Sequence, residues 1–273
     1  MPKIEVNERM FFELVGRRME QKELESALES AKAELDGYAE SEAGGERIVK
    51  IELNDTNRPD LWSTAGIARQ LRIRDGGAIP EYPFFSREGE TRPSDYRLVV
   101  DTSVQALRPY MAGFIISGKP IDDAMLRDSI QTQEKLCSNF GRKRRVLSMG
   151  MYRIELIKWP ISYKGVDPDS VSFVPLQMEE SLTLRRILEE HPKGKEYGHI
   201  ISGSPTYPIL MGSDGGVLSM APIINSADIG AVKVGDRDIL VEFSGTDMAT
   251  VCLATSIVAC DFADRSEERR VGK

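Results

Sequence analysis

Residues 52–71, with the sequence ELNDTNRPDLWSTAGIARQL, carry the strongest structural signal in this chain. Pro59 fixes its own φ and pushes Arg58 into an extended conformation, which ends the preceding strand. Asp60 then occupies a position suited to a helix N-cap, where the helix dipole favours an acid. The segment therefore predicts a strand, a tight corner and a capped helix. Four residues at helical spacing give that helix a buried side: Leu61, Ala65, Ala68 and Leu71.

Composition sets the broad class. The chain has 273 residues, enough for one large domain or two ordinary ones, and a hydrophobic content of 41% suits a soluble globular protein. The formal charge of −7 does not indicate a generally basic nucleic-acid binder, although a local basic patch on an acidic protein is sufficient for RNA contact. No signal peptide and no apolar run of membrane-spanning length is evident, so the sequence does not predict a membrane protein.

The cysteines and histidines do not indicate a metal site. Cys137, Cys252 and Cys260 have neither metal-ligand spacing nor an even-numbered disulfide framework, and they fit a reducing cytoplasm. Cys252 and Cys260 lie in an alanine-rich helical segment and are predicted to share one buried face. His191 and His199 have no cysteines or compact acidic cluster near them in the sequence, so zinc is not indicated.

A first unit is predicted over residues 1–85. Lys3 to Val6 is a short strand, and Asn7 caps the helix that follows. Gln21 to Leu35 has the apolar stripe of a second helix. Arg47 to Leu53 alternates like a half-buried strand and leads into the Pro59 corner.

A second unit is predicted over residues 94–264, after a proline-punctuated linker. Its strands and helices are interspersed without regular alternation, which favours an α+β fold with a mixed sheet. The longest helical segment is Asp122 to Phe140, and Asp247 opens another helix. The charged tail, residues 265–273, has no core-forming pattern and is predicted to be disordered or a cloning or truncation scar. The other segments are predicted strands (Tyr96–Asp101, Tyr110–Ser117, Arg145–Met151, Ile161–Gly165, Val217–Met220 and Ile239–Phe243) and a helix over Ser181–Glu190.

Two basic segments are candidates for phosphate contact. Residues 141–145 include Arg142, Lys143 and Arg144 after the long helix; the alternative is a solvated helix end, where cations suit the helix dipole. Residues 191–199 form a polar stretch with Lys193 and Lys195 that is suited to a phosphate or a tRNA end, or is an ordinary loop.

Three polar positions lie beside apolar strands. Ser219 sits inside an apolar run and must find a hydrogen bond, but the Gly-x-Ser-x-Gly signature of serine hydrolases is absent. Glu242 and Ser244 alternate with apolar neighbours and point to the same side of a strand end. That side either lines a pocket or faces solvent. Residues 212–216 lack a Gly-Lys-Ser/Thr ending and predict a hairpin turn, not a nucleotide loop.

Two sets of motifs resemble one family. Asn57-Arg58-Pro59-Asp60-Leu61 and Ser63 match a motif in the N-terminal part of the phenylalanyl-tRNA synthetase beta subunit. In the second unit, the match to the editing module of that family, in its archaeal and eukaryotic form, is carried by several strings in order. These include 133–136, 166–169, 173–176, 189–197, 217–220, 222–225 and 245–247.

The resemblance implies a small N-terminal α/β domain followed by a larger editing domain that hydrolyses Tyr-tRNA(Phe) made in error. The family enzyme is a cytoplasmic assembly of two alpha and two beta subunits that makes Phe-tRNA for protein biosynthesis with ATP and magnesium. The beta subunit of the family is longer than this chain. The resemblance therefore implies a fragment that needs no cofactor and no metal and cannot aminoacylate by itself.

The resemblance also implies site residues. Leu210 is expected to pack on the substrate ring, Ser219 to make a polar contact, Glu242 to accept from the phenol or amino group, and Ser244 to position water. The family has Asp and Thr at the last two positions. It also has Gly-x-His-Asp where this chain has Gly150-Met151-Tyr152-Arg153. Arg142, Lys143, Arg144, Lys193 and Lys195 are the expected RNA contacts. A non-catalytic tRNA-binding or subunit-assembly module with a degenerate pocket is the alternative.

Overall fold

The computed structural model describes residues 3–40, 45–54, 57–85, 95–265 and 270–272. Within these ranges no helix is long and apolar enough to cross a membrane. The α-helices there are α1 (Glu8–Val15), α2 (Gln21–Glu29), α3 (Thr64–Arg74), α4 (Asp123–Lys135), α5 (Leu184–Glu190), α6 (Pro192–Tyr197) and α7 (Met248–Asp264).

The strands of the described ranges form several sheets. The N-terminal strands are β1 (Lys3–Asn7), β2 (Ala33–Glu40) and β3 (Arg47–Leu53). The remaining strands are β4 (Leu98–Val100), β5 (Tyr110–Ser117), β6 (Leu147–Arg153), β7 (Ile161–Val166), β8 (Ser172–Phe173), β9 (Leu182–Thr183), β10 (Tyr207–Met211), β11 (Val217–Met220), β12 (Ile224–Asn225), β13 (Ile239–Gly245) and β14 (Arg270–Gly272).

The N-terminal sheet is antiparallel in the order β1-β3-β2. Asn7 ends β1 and caps α1, because its Oδ1 accepts from the backbone N–H of Met10 at 3.0 Å. Phe11 and Val15 of α1 are buried in the core that this sheet helps to form. The predicted strand, cap and helix are confirmed here.

The predicted helix over Gln21–Leu35 is too long. α2 ends at Glu29, and Lys32 adopts a φ of +50°, which no α-helix continues through. The chain then enters β2, where Leu35 pairs with Ile51 of β3. The partner strand lies farther along the chain, so a local helical periodicity does not detect it.

Asp60 is not the cap of α3. It lies in a 3-10 turn, Pro59–Leu61, and pairs with Arg58 at 2.7 Å. Ser63 is the cap: its Oγ accepts from the backbone N–H of Gly66 at 3.0 Å. A hydroxyl three residues before a free N–H satisfies that donor directly, whereas the proline-driven turn places the Asp60 side chain too early.

The second part of the chain contains two large sheets. One is antiparallel in the order β14-β5-β13-β6. The other has the order β12-β11-β10-β7-β4, and it is mixed because β4 runs parallel to β7. These sheets are interspersed with helices, so the predicted α+β fold with a mixed sheet is confirmed.

The two large sheets pack against each other through their inner faces. Tyr152 of β6 and Leu240 of β13 lie in one buried apolar cluster with Tyr163, Leu210 and Leu218 of the other sheet. The outer face of the antiparallel sheet packs against α7. The apolar core formed there extends to the N-terminal sheet. Side chains on β6 and β13 that point inward therefore enter the space between the sheets.

The two predicted units share one apolar core. Ile4 of β1 and Val241 of β13 belong to the same buried cluster. Arg69 of α3 also donates to Asp261 and Asp264 of α7, at 2.7 and 2.6 Å. Of the predicted linker, residues 86–94 lie outside the described ranges, so the proposed boundary stays a prediction.

Helix starts in the second part follow polar caps. Asp122 and Asp247 cap α4 and α7, so both helices begin where the sequence predicted them. A π-helical turn, residues 136–140, follows α4. The predicted helix over Ser181–Glu190 begins later, at Leu184 with Thr183 as its cap, because Leu182–Thr183 pairs as β9 with β8. The predicted loop over residues 191–199 contains α6, which His191 caps.

Two further predictions are corrected on α7 and in the tail. Cys260 is buried but Cys252 is exposed, because positions eight apart differ by about 80° around a helix. In the predicted disordered tail, Arg270–Gly272 is the strand β14, antiparallel to β5. Residues 266–269 and 273 lie outside the described ranges.

Candidate functional site

Glu242 and Ser244 lie on the inner face of β13. Glu242 is 2% exposed and Ser244 is fully buried, so the solvent-facing alternative is wrong. Their alternation with Val241 and Phe243, which pack into the core on the outer face, places both polar side chains between the two sheets.

Leu210 and Ser219 face the same space from the opposite sheet. They are directly paired across the β10–β11 hairpin, and both are buried. The turn that joins the strands closes with a hydrogen bond from Gly212 N to Gly216 O at 2.8 Å, and Gly215 adopts a φ of +89°. The predicted hairpin turn is confirmed, and it sets the register that brings Ser219 toward β13.

Tyr152 of β6 links Ser219 to Glu242. Its hydroxyl oxygen lies 2.9 Å from Ser219 Oγ and 2.9 Å from Glu242 Oε1. A phenol hydroxyl has one hydrogen to donate, and an ionised carboxylate only accepts. With Glu242 ionised, Tyr152 therefore donates to Glu242 and accepts from Ser219.

Gly150 provides the space for this contact. It pairs with Glu242 across β6 and β13. A Cβ atom at this position would lie 2.6 Å from Glu242 Oε1 and would also overlap the Tyr152 hydroxyl. The missing side chain thus allows the carboxyl and the phenol to meet above the β6 backbone.

Burial controls the charge of Glu242. It raises the pKa of the carboxyl from 4.5 to about 7, because the charged form loses its hydration; the Tyr152 hydrogen bond and the Arg108 charge oppose that rise. Glu242 Oε2 has no hydrogen-bond partner among the described residues. A carboxyl that titrates near neutrality and keeps one free oxygen is suited to accept from a bound ligand.

Arg108 was not identified from the sequence. Its buried guanidinium donates to Ser148 Oγ at 3.1 Å and to the Ser244 carbonyl at 2.7 Å. Ser148 and Ser244 share a further hydrogen bond of 2.8 Å. An isolated arginine before Pro109 has no motif around it, and only the packing of the two sheets reveals its role.

A cavity of about 310 Å³ opens beside the edge strand β6. That volume is at the lower end for ligand pockets and suits a group the size of one amino acid. Ser219 and Glu242 contribute to its wall, whereas Leu210 and Ser244 lie behind it. The roles expected for them, packing of Leu210 on the substrate ring and positioning of water by Ser244, stay predictions. Other lining residues include Ser148, Met149, Met151, Gln133, Pro222 and Asn225.

Two cations line the same cavity. The Arg144 guanidinium lies over the Tyr197 ring, 4.3 Å from its centroid, and Lys193 Nζ lies 5.4 Å from that centroid. Arg144 also donates to the carbonyls of Pro222 and Ile223 at 3.1 and 2.8 Å. It therefore positions the cavity wall as well as adding charge.

The other predicted RNA contacts lie on the surface. Arg142 and Lys143 are exposed and, with Arg144, form a left-handed turn with φ values of +51°, +54° and +66°. Lys195 is exposed on α6. Of the five predicted basic residues, the structure thus brings only Arg144 and Lys193 to the cavity.

No three His, Cys, Asp or Glu side chains in the described ranges come together as a set of metal ligands. The buried His191 has a structural position. Its Nδ1 accepts from Lys193 N at 3.1 Å, which leaves Nε2–H to donate to the Leu176 carbonyl at 3.0 Å. Both ring nitrogens are thereby occupied within the chain.

Comparison with known proteins identifies the family. Residues 1–76 match the model described as the Phe-tRNA synthetase beta subunit B1 domain. The phenylalanine–tRNA ligase beta subunit of Borreliella afzelii is 46% identical over 268 residues, which are 98% of this chain and 46% of that protein. The corresponding subunit of Treponema pallidum subsp. pallidum is 44% identical over 300 residues, covering 97% of this chain and 50% of that protein.

A solved structure matches almost the whole chain. It is an N-terminal fragment of the phenylalanyl-tRNA synthetase beta subunit from Pyrococcus horikoshii, with a TM-score of 0.90 and 36% identity, covering 99% of this chain and 75% of that one. The fold and the matches define an aminoacyl-tRNA synthetase subunit. More narrowly, the chain belongs to the phenylalanyl-tRNA synthetase beta-subunit family. It spans about half the length of the curated relatives it matches.

Proposed function

We propose that this chain carries a proofreading site that hydrolyses tyrosine from mischarged Tyr-tRNA(Phe). The observation that supports the proposal is the cavity beside β6, with the buried Glu242 carboxyl and the Ser219 hydroxyl in its wall. The relatives are named as phenylalanine–tRNA ligase beta subunits, which supports tRNA(Phe) as the RNA.

The chemistry of the two amino acids explains why a proofreading site is useful in addition to the site that charges the tRNA. Tyrosine is phenylalanine with one added hydroxyl, and an apolar synthetic pocket rejects an added hydroxyl by only about 100-fold. A site with a buried hydrogen-bond acceptor has the opposite preference, since phenylalanine leaves that acceptor unpaired and is rejected by about 10⁴-fold. Glu242 Oε2, unpartnered within the described residues, is such an acceptor.

The reaction is hydrolysis of an aminoacyl ester. Water adds to the ester carbonyl, the bond to the ribose oxygen breaks, and the terminal hydroxyl of the RNA leaves with a proton, giving tyrosine and uncharged tRNA. Glu242 and Ser219 hold the tyrosyl group, and Ser244 supports Ser148 in the wall. The neighbouring ribose hydroxyl assists as a base or hydrogen-bond donor.

Positive charge at the cavity fits the polyanionic partner. Arg144 and Lys193 line the cavity, where phosphates of a tRNA end would approach. Arg142, Lys143 and Lys195 are exposed on neighbouring segments and extend this contact. We assign binding of the tRNA end to these five residues.

The wider assembly follows from the family. We propose that the complete protein acts with an alpha subunit, two of each, and that this assembly makes Phe-tRNA with ATP and magnesium. Proofreading by the present chain needs no cofactor. The cysteines are free thiols, in keeping with a reducing cytoplasm.

Deacylation of two charged RNAs tests the proposal. The chain is mixed with Tyr-tRNA(Phe) and Phe-tRNA(Phe), and release of the amino acid is followed. We expect selective release of tyrosine, reduced at least about tenfold in Glu242→Ala and Ser219→Ala. Glu179→Ala and Ser202→Ala, at exposed positions, serve as matched controls. Equal, buffer-like rates for both RNAs would exclude the activity.

A non-catalytic RNA-binding or subunit-assembly module is the second candidate. It is favoured by the Tyr152 hydroxyl, which already occupies Ser219 and one oxygen of Glu242. The same variants separate the two functions. If the Glu242 and Ser219 substitutions change tRNA affinity but leave deacylation at the buffer rate, the binding function is correct.

A further inference from the structure

We propose that Tyr152 is a positioning residue for this cavity: its hydroxyl holds Oε1 of Glu242 and leaves Oε2 as the oxygen that accepts from the bound tyrosyl group. The proposal rests on the proposed function for the identity of the ligand. Tyr152 does not line the cavity, so it acts through Glu242 and not on the substrate.

The Tyr152 ring is fixed by its surroundings. It is fully buried and belongs to the apolar cluster that contains Leu210, Leu218 and Leu240. A ring enclosed in this way has a defined rotamer, and its hydroxyl has a defined position. Leu210 thus helps to hold the Tyr152 ring in place, although Leu210 itself does not line the cavity.

Hydrogen bonds on both sides fix the hydroxyl. Ser219 Oγ and Glu242 Oε1 each lie 2.9 Å from the Tyr152 hydroxyl oxygen. Because Tyr152 donates to the carboxylate, Ser219 donates to Tyr152, and the chain Ser219–Tyr152–Glu242 has one direction. Gly150 leaves room for that chain. The carboxyl is therefore oriented before a ligand arrives.

The remaining oxygen defines the specificity. Glu242 Oε2 is buried, has no partner among the described residues and belongs to a residue in the cavity wall. One unpaired acceptor selects for a ligand with one hydrogen-bond donor at that depth, which is the phenol hydroxyl of a tyrosyl group. Without the Tyr152 hydrogen bond, the two oxygens exchange roles and that selection weakens.

Several titratable groups lie near Glu242, and they differ in how they interact with its carboxyl. Arg108, Tyr163 and Cys137 each interact with it electrostatically. Glu134, Arg144 and Lys193 line the cavity. Tyr152 alone among these groups donates a hydrogen bond to Glu242, and this bond lowers the pKa of the carboxyl against the effect of burial.

Carboxyl NMR tests the positioning role directly. Glutamate side chains of the full chain are labelled with ¹³C, and the signal that disappears in Glu242→Gln is titrated. We expect a midpoint near 7 in the unchanged chain and a higher midpoint in Tyr152→Phe. Tyr207→Phe removes a hydroxyl from a buried tyrosine in a different cluster and is expected to leave the midpoint in place. An unchanged midpoint in Tyr152→Phe overturns the proposal.

A second variant moves the midpoint in the opposite direction. Fluorotyrosine at position 152 keeps the shape of the ring and makes the hydroxyl a stronger donor, so the Glu242 midpoint falls. A midpoint that rises or stays unchanged contradicts the proposal. This measurement does not depend on deacylation, so it separates failure of the positioning role from failure of the proposed function.

Deacylation supplies the functional readout. We expect Tyr152→Phe to release tyrosine from Tyr-tRNA(Phe) about tenfold more slowly, the effect of losing one hydrogen bond to a charged group. Tyr207→Phe is expected to match the unchanged chain. If Tyr152→Phe releases tyrosine faster than the unchanged chain, the Tyr152 hydroxyl competes with the substrate phenol for Glu242. That result overturns the positioning role. An inactive unchanged chain removes the proposed function, while the NMR result still decides the role of Tyr152.

Discussion

The guanidinium of Arg108 donates to the main-chain carbonyl of Ser244 at 2.7 Å. It also donates to the carbonyls of Arg144 and Arg145, both at 3.0 Å. One buried side chain thus ties the end of β13, which carries Glu242, to the left-handed turn that presents the cavity cations. The position of the carboxyl and the position of the positive charge depend on the same residue.

Replacement of Arg108 by methionine is expected to destabilise the chain. Methionine has similar length but no donors, so several buried carbonyl oxygens lose their partners. Each unpaired oxygen costs about 1–3 kcal/mol, and we expect the free energy of unfolding to fall by at least about 2 kcal/mol in urea titrations.

Arg127→Met is the matched control for Arg108→Met. Arg127 pairs with Asp123 at 2.7 Å on the surface of α4, where its side chain is 57% exposed. Surface pairs of this kind contribute about 0–1 kcal/mol, so the control is expected to change stability little. Equal destabilisation in the two variants would contradict the role assigned to Arg108.

Gly150→Ala is expected to disrupt the site. The new methyl group would lie 2.6 Å from Glu242 Oε1, so the carboxyl must move away from Tyr152. We expect slower release of tyrosine from Tyr-tRNA(Phe), by about tenfold or more, because the carboxyl no longer has its fixed orientation. Gly203→Ala is the control, since no atom lies within 4 Å of the added methyl group. If the two variants deacylate alike, the space above Gly150 is not required.

Stability is expected to depend on pH through Glu242. The folded-state pKa of about 7 lies above the ordinary value of 4.5, so the folded chain binds this proton more tightly than the unfolded chain. The contribution of the protonated carboxyl is therefore complete below pH 4.5 and is lost as the pH rises through about 7.

Glu242→Gln isolates that contribution. Glutamine cannot ionise, so the stability of the variant relative to the unchanged chain is expected to rise with pH across this window, by up to roughly 3 kcal/mol. Urea unfolding at several pH values measures the difference. A difference that is flat with pH would show that Glu242 titrates normally.

Exposed cations of the left-handed turn are expected to affect tRNA affinity. Arg142→Ala and Lys143→Ala each remove one charge at the surface, so binding of tRNA(Phe) is expected to weaken while stability is kept. For each phosphate that the protein no longer neutralises, the negative slope of log affinity against log salt becomes shallower by about 0.7–0.9. Lys22→Ala, on the exposed side of α2, is the control. Unchanged slopes in the turn variants would place the RNA elsewhere.

Several elements were predictable because their causes are local. Asn7 caps α1 as expected, and helices begin at Asp122 and Asp247 as expected, since an acceptor side chain there satisfies the free N–H groups of the first turn. The hairpin at residues 212–216 and the alternation that places Glu242 and Ser244 on one side of β13 likewise depend on short-range geometry, whereas the direction in which that side faces was left open.

Other predictions failed where a distant partner or a neighbouring turn decided the outcome. Leu35 has helical spacing with its neighbours, yet it lies in β2 because that strand pairs with β3 through backbone hydrogen bonds. Asp60 is a good cap by type, but the turn at Pro59 delays the helix and Ser63 takes that role. In both cases, the competing interaction has a geometry that helical periodicity alone does not contain.

By itself, the sequence determined the α+β class, the family, and the residues Ser219 and Glu242 as site candidates. The tertiary structure alone decided that Tyr152 joins them, that Arg108 supports the end of β13, and that Leu210 and Ser244 stand behind the cavity wall. The reason is the separation along the chain: Tyr152 and Glu242 are 90 residues apart, and Arg108 and Ser244 are 136 apart. Which buried polar groups meet depends on how the two sheets pack, and no local pattern encodes that.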